Sequence, residues 1–226
     1  MPEVGVLIAA GGRGERAGGS EPKQFRAIAG QPMLLRALRP FASHPAVRQI
    51  VVALPQPWAT EPPSWLADLR GERLRLVAGG ATRVASVRNA LAALDPGIPI
   101  VLVHDAARPF VTVAEIDAVI AMAAAGQGAL PALPVTDTLK RALDDGRVVE
   151  TASRSGLWRA LTPQGFPRTM LERAFARADA ERDWRATDDA GLVEALGETV
   201  RIVPGSPRNM KVTTPDDFLL AESLVR

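Results

Sequence analysis

The sequence predicts an α/β fold: a mostly parallel, twisted sheet with helices on both faces and a β-arm projecting from it. Three observations carry that prediction. Short β-branched runs alternate with longer amphipathic stretches from end to end, the pattern of strand–helix–strand units. Most of the short runs are continuously apolar, as in strands buried on both faces. One stretch alone, 137–158, breaks the alternation, and it contains an Asp-Gly turn. With 226 residues, a single domain over 1–226 is expected, with 137–158 as an appendage too small to fold alone.

The first strand is read at 4–10, directly before a glycine-rich loop, and the first helix at 32–42. A strand at 50–54 leads into the proline-rich 55–63, read as a surface loop. Strands at 74–77 and 100–103 flank a helix at 83–94, and a helix at 113–125 precedes a strand at 129–135. Within 137–158, Asp144-Asp145-Gly146 separates two β-compatible runs, which makes a hairpin. Helices at 168–182 and 188–196, a strand at 200–203 and a helix at 215–224 complete the chain. Thr112, Thr187 and Thr214 stand at N-cap positions, and Pro215 suits a first helical turn.

Composition excludes several classes. There is no cysteine, hence no disulfide scaffold, zinc–thiolate site, iron–sulfur cluster or cysteine nucleophile. The longest apolar stretch, 118–125, is far below the about 20 residues of a membrane span. No leader precedes the first strand, so a cytoplasmic protein is expected. The net charge is only +2, so the pI of 9.6 reflects scarce groups titrating between neutrality and arginine. A nucleic-acid binder would show a basic face with interleaved aromatics. Here aromatics are 4%, tyrosine is absent, and the arginines are dispersed among acids. Of 27 basic residues only Lys23, Lys140 and Lys211 are lysines. In a chain that uses arginine so freely, a remaining lysine marks a candidate site for a compact point charge.

Gly11, Gly12 and the glycines up to Gly19 follow the first strand, where backbone N–H groups can cradle phosphate. Gly12 to Ala17 even fits a G-x-G-x-x-A dinucleotide fingerprint. That reading requires an acid about 20 residues on to bind ribose, and no Asp or Glu lies between Glu21 and Glu61. No Gly-Lys-Ser/Thr of a Walker loop occurs. Instead Arg13, Arg16 and Lys23 cluster in and after the loop, suiting a triphosphate; a solvated basic turn is the plainer alternative. Asp105 follows an apolar strand and so stands at the carboxyl edge of the sheet, where ligands bind in open α/β folds. It reads either as a Mg²⁺ ligand or as a turn acid satisfied by Arg108. His104 reads as packed beneath the site, His44 as a surface residue, and Trp158 as a packing anchor at the base of the arm.

The loop with Pro22-Lys23-Gln24-Phe25, then Gly79-Gly80-Ala81-Thr82-Arg83, His104-Asp105-Ala106-Ala107-Arg108-Pro109 and Asp137-Thr138-Leu139-Lys140 run in order along the chain. Leu161-Thr162-Pro163-Gln164, Thr187-Asp188 and Asn209-Met210-Lys211-Val212-Thr213 complete the series. Together they resemble the 2-C-methyl-D-erythritol 4-phosphate cytidylyltransferases, which have a Rossmann-like nucleotidyltransferase fold. The resemblance implies transfer of cytidylyl from CTP to methylerythritol phosphate, with Mg²⁺ and release of pyrophosphate. It implies a cationic clamp of Arg16, Lys23 and Lys211, and nucleotide contacts from Ala10, Gly11, Gly12, Gly80, Ala81, Ser86 and Asp105, the last also holding the metal. It further implies a homodimer that exchanges arms, so that Thr138 and Arg154 reach the partner's polyol phosphate while Thr187 contacts it from the CTP-binding chain. Where the family has Ala-Ala-Gly-x-Gly-x-Arg-Met, this chain reads Ala10 to Ala17 with Arg16 in register with Lys23; Ser206 to Arg208 also depart from the family. A related enzyme acting on another polyol phosphate, such as ribitol 5-phosphate, is the alternative reading.

Overall fold

The computed structural model describes residues 2–12, 22–71, 73–181 and 186–225. In chain order it contains β1 (Val4–Ala9), a 3₁₀ turn (Lys23–Phe25), β2 (Ala27–Ile28), β3 (Gln31–Pro32), α1 (Met33–Ala42) and β4 (Val47–Leu54). Two short helices, α2 (Gln56–Thr60) and α3 (Ser64–Ala67), precede β5 (Leu74–Ala78), α4 (Arg83–Ala93), β6 (Ile100–Asp105), α5 (Val113–Ala124) and β7 (Gly128–Pro134). The arm is β8 (Leu139–Ala142) and β9 (Val148–Ala152). After it come β10 (Trp158–Ala160), β11 (Gln164–Pro167), α6 (Arg168–Glu181), α7 (Asp189–Ala195), β12 (Val200–Pro204) and α8 (Pro215–Ser223).

The main sheet is mostly parallel: β1 pairs with β4 and β6, β4 with β5, and β7 with β12, all in parallel. β11 runs antiparallel between β6 and β7, and β10 lies antiparallel to β7. Ala132 and Ala129 of β7 each pair with β12, and on their other side with β10 and β11 respectively. β10 and β11 therefore share one edge of β7 as two halves of a broken strand.

Apolar runs become strands here because successive side chains feed opposite layers. Val4, Val6 and Ile8 join Leu34, Phe41 and Ile116 on one face, while Leu7 joins Val87, Leu91 and Leu171 on the other. A smaller cluster packs α8, through Phe218 and Ala221, on Ile28, Met33 and Val212. Thr112 and Thr214 cap α5 and α8 with complete capping boxes, Pro215 lying just inside α8. No helix among the described residues is long and apolar enough to cross a membrane.

Four expectations need correction. The cap of α7 is Asp188, not Thr187: its carboxylate accepts from Gly191 N, which Thr187 stands one residue too early to do. The 55–63 loop holds α2, because prolines fit first turns, where no backbone donor is needed. His44 is buried and bonded to Asp117 at 2.9 Å. Trp158 is 48% exposed where β10 begins, opposite Pro134 of β7, so it is not a buried packing anchor.

Candidate active site

A cavity of about 330 Å³ opens at the carboxyl ends of β1 and β6. Parallel pairing places Ala9 opposite Asp105, so the loop after β1 and the carboxylate ending β6 meet at one rim. Ala10 N donates to Ala53 O at 3.0 Å, and Ala10 O accepts from the buried Gln24 amide at 2.8 Å. Gly11 and Gly12 follow and line the cavity. A Cβ on Gly11 would lie 2.8 Å from Ser86 Oγ, so glycine is what lets this loop approach the opposite wall.

That wall is the start of α4. Thr82 caps the helix by accepting from Ala85 N. Ser86 Oγ donates to Thr82 O at 2.9 Å and accepts from Gly80 N at 3.0 Å. Its hydroxyl thus holds the 79–82 turn in shape, and Gly80 and Ala81 present that turn to the cavity.

Lys23 enters from the 3₁₀ turn, its Nζ donating to Val212 O at 2.8 Å. Lys211, next to Val212, places Nζ 2.8 Å from Asp105 Oδ2. Two of the three lysines therefore converge on the rim. The Lys211 loop is fastened from below: Val212 N donates to Ala107 O, Arg108 Nη1 to Asn209 O, and the buried Asn209 amide to Glu115 and Thr162 O.

Asp105 is 7% exposed and gripped from two sides, by Lys211 and by Arg83, whose Nε donates to Oδ1 at 2.9 Å. Its partners are these two, rather than the side chain of Arg108. Burial penalises its charge, yet Arg83 and Lys211 outweigh that and hold the carboxyl well below the usual range, so it is ionised at any working pH. His104 is fully buried beneath it, with Nε2 on Arg108 O and Nδ1 on Thr162 Oγ1. Burial pushes the imidazole down to about 4, which makes it a neutral structural group and not a base facing the cavity.

The described residues thus bring Ala10, Gly11, Gly12, Lys23, Gly80, Ala81, Ser86, Asp105 and Lys211 around one cavity. Arg16 lies outside the described residues. Thr138 and Arg154 do not line the cavity: both are exposed on the arm segment, with Arg154 Nη1 donating to Thr136 O. Thr187 is exposed at the start of α7 and does not line it either. Sequence reasoning passed over Arg83, which lines the cavity and also pairs at 2.8 Å with Asp189. Nothing in a chain with 24 arginines singled it out beyond its place in the Gly79 motif.

A family model of 2-C-methyl-D-erythritol 4-phosphate cytidylyltransferase matches residues 4–226. An enzyme of that name from Salinibacter ruber is 49% identical over 222 residues, covering 98% of this chain and 92% of its own. One from Frankia casuarinae is 47% identical over 225 residues, covering 99% and 82%. The crystal structure of the enzyme from Thermus thermophilus superposes with a TM-score of 0.82 at 39% identity, covering 99% of both chains. With its motifs in order and its fold shared, the chain belongs to the 2-C-methyl-D-erythritol 4-phosphate cytidylyltransferase family.

Proposed function

We propose that this chain performs the family's reaction by positioning and electrostatics alone. The reaction transfers cytidylyl from CTP to 2-C-methyl-D-erythritol 4-phosphate, giving 4-diphosphocytidyl-2-C-methyl-D-erythritol and pyrophosphate. The observation that carries the mechanism is the meeting of Lys23, Lys211 and Asp105 at one rim, in a chain with three lysines. The substrate phosphate is already ionised and attacks the α-phosphorus in line. Negative charge gathers there, and Lys23, Lys211 and Arg16 neutralise it; no covalent protein intermediate is needed. The triphosphate lies over residues 10–12, and the cytosine meets the turn at 79–82, mostly through backbone groups.

Asp105 is the one carboxylate among the described residues lining the cavity. A single ionised carboxylate suits Mg²⁺, which takes one or two and fills its shell with phosphate oxygens and water. Asp105 would hold the metal, and Lys211, whose side chain is 46% exposed, has room to swing away from Asp105 Oδ2. Bound there, Mg²⁺ would neutralise triphosphate charge.

The polyol phosphate is met by Thr187 from the CTP-binding chain and by Thr138 and Arg154 from a second copy, in a cytoplasmic homodimer. Support comes from the arm, where Leu143, Val148, Val149 and Leu157 are each at least 44% exposed. A two-stranded hairpin is marginal in water without a surface to pack on, and a two-fold dimer supplies one to each arm. Pyrophosphate release from CTP and Mg²⁺, with methylerythritol phosphate or ribitol 5-phosphate, tests the substrate. Turnover is expected with the former, and equal or faster turnover with ribitol 5-phosphate contradicts the reading.

A further inference from the structure

Arg83 stands between two carboxylates that belong to different parts of the fold. It opens α4, and its side chain is 25% exposed. Nε donates to Asp105 Oδ1 at 2.9 Å, and Nη1 lies 2.8 Å from Asp189 Oδ2. Asp105 ends β6 at the nucleotide rim. Asp189 is fully buried in the first turn of α7, two residues after Thr187.

The rest of that first turn is tied to β11. Gln164, 1% exposed, accepts from Asp189 N at 3.0 Å and Ala190 N at 2.9 Å, and donates to Asp188 Oδ2 at 2.7 Å. These bonds fix the helix to the sheet. Among the ion pairs of the described residues, the one from Arg83 connects it to the nucleotide wall. A buried ion pair adds little to stability, because desolvation offsets the attraction; its best-supported use is to fix one arrangement. Arginine's planar fork points its donors at two carboxylates in fixed directions, whereas a lysine offers rotatable donors from a single point.

We propose that Arg83 is a positioning residue that registers the two substrate half-sites, holding Asp105 on the CTP side and, through Asp189, the start of α7 beside Thr187 on the polyol-phosphate side. The inference rests on Thr187 contacting the polyol phosphate. In this arrangement Asp189 touches neither substrate, yet it decides where Thr187 stands relative to the α-phosphorus.

The test uses Asp189→Asn, Arg83→Lys, their combination and Thr187→Ala in the full chain. Three quantities are read: CTP affinity by calorimetry with Mg²⁺, KM for methylerythritol phosphate at saturating CTP, and the melting midpoint. Asp189→Asn is expected to raise that KM about tenfold, an ordinary coupling between sites, and to move CTP affinity less than about threefold. Arg83→Lys should raise the same KM and also weaken CTP binding, since it frees Asp105 as well. The double variant should be no worse in KM than Arg83→Lys alone, because the effect of Asp189 passes through Arg83. A raised KM in Thr187→Ala beside an unchanged one in Asp189→Asn overturns the clamp and leaves the Thr187 reading standing. An unchanged KM in Thr187→Ala overturns both. Asp189→Asn that lowers the midpoint and shifts CTP affinity and KM equally shows a merely structural role and also overturns the clamp.

Discussion

The nucleotide rim and the arm hold their charged groups in opposite ways. At the rim, Lys23 reaches Val212 across 189 residues of sequence and Lys211 reaches Asp105 across 106. Along the arm, Lys140 bonds Thr151, Arg141 bonds Glu150 and Arg154 bonds Thr136, spans of 11, 9 and 18 residues. The rim is thus assembled by tertiary structure and is pre-organised, so its dipoles and charges cost little reorganisation as the reaction proceeds. The arm is assembled locally and offers Thr138, Arg154 and its apolar residues outward. That contrast separates a rim completed within one chain from an arm whose Thr138 and Arg154 face outward, which is what the proposed shared site requires.

The largest effect should come from the rim. Lys23→Ala is expected to lower kcat by about 10²–10³, or roughly 3–4 kcal/mol, with less change in CTP binding, because its charge is needed most in the transition state. Steady-state kinetics with a raised KM for CTP and an unchanged kcat would remove Lys23 from that role. Lys23→Arg should also be poor, since a broad fork cannot replace a point charge.

Asp105→Asn comes next. It should shift the Mg²⁺ activation curve on the order of tenfold or more to higher concentration, with circular dichroism unchanged. An unaltered curve excludes Asp105 as a ligand.

A smaller effect should follow at the support of the Lys211 loop. Asp217 Oδ2 accepts from Thr213 N at 2.7 Å and Thr214 N at 2.8 Å. Asp217→Ala should cost about 1 kcal/mol, a typical capping loss, in denaturant unfolding. Burial works against its charge, but these hydrogen bonds hold the Asp217 carboxyl below its ordinary value. A lowered folded value means stability that is present above the ordinary value of 3.8 and lost as pH falls below it, so wild type and variant should converge in acid. The smallest effect belongs to the arm. Arg141 and Glu150 are paired at 2.7 Å with side chains 68% and 52% exposed, and Glu150→Gln should change stability by under about 0.5 kcal/mol. A larger loss would mean the pair is buried against a partner.

Much of this was legible in the sequence, and the gaps have physical causes. β1, β4, β6 and β7 announced themselves because burial on both faces demands apolar runs. β5 and β12 were legible despite Arg75 and Arg201, which stand exposed within them. β11 was not: Gln164-Gly165-Phe166-Pro167 has no strand signature and exists because β6 and β7 leave room for it. A Cβ on Gly165 would stand 2.3 Å from Val119 Cγ1 and 2.7 Å from Leu102 Cδ2, so the site demands a residue that propensity counts against strands. The rim lysines could be found by their rarity and the arm by its Asp-Gly turn, where Gly146 has a φ of +84°. Arg83 could not be found so, because its meaning lies in which two carboxylates it reaches, and those are 22 and 106 residues away in sequence.

Pairing two inactive variants tests the shared site most directly. Lys23→Ala and Arg154→Ala homodimers should each be nearly inactive. Unfolded and refolded together in equal amounts, half of the dimers should be mixed, and each mixed dimer would contain one site with Lys23 from one chain and Arg154 from the other. Activity should recover to about a quarter of wild type, the arithmetic of random pairing in a two-fold dimer. No recovery, with mixed dimers confirmed by mass spectrometry, would show that Arg154 serves its own chain and would contradict the shared site.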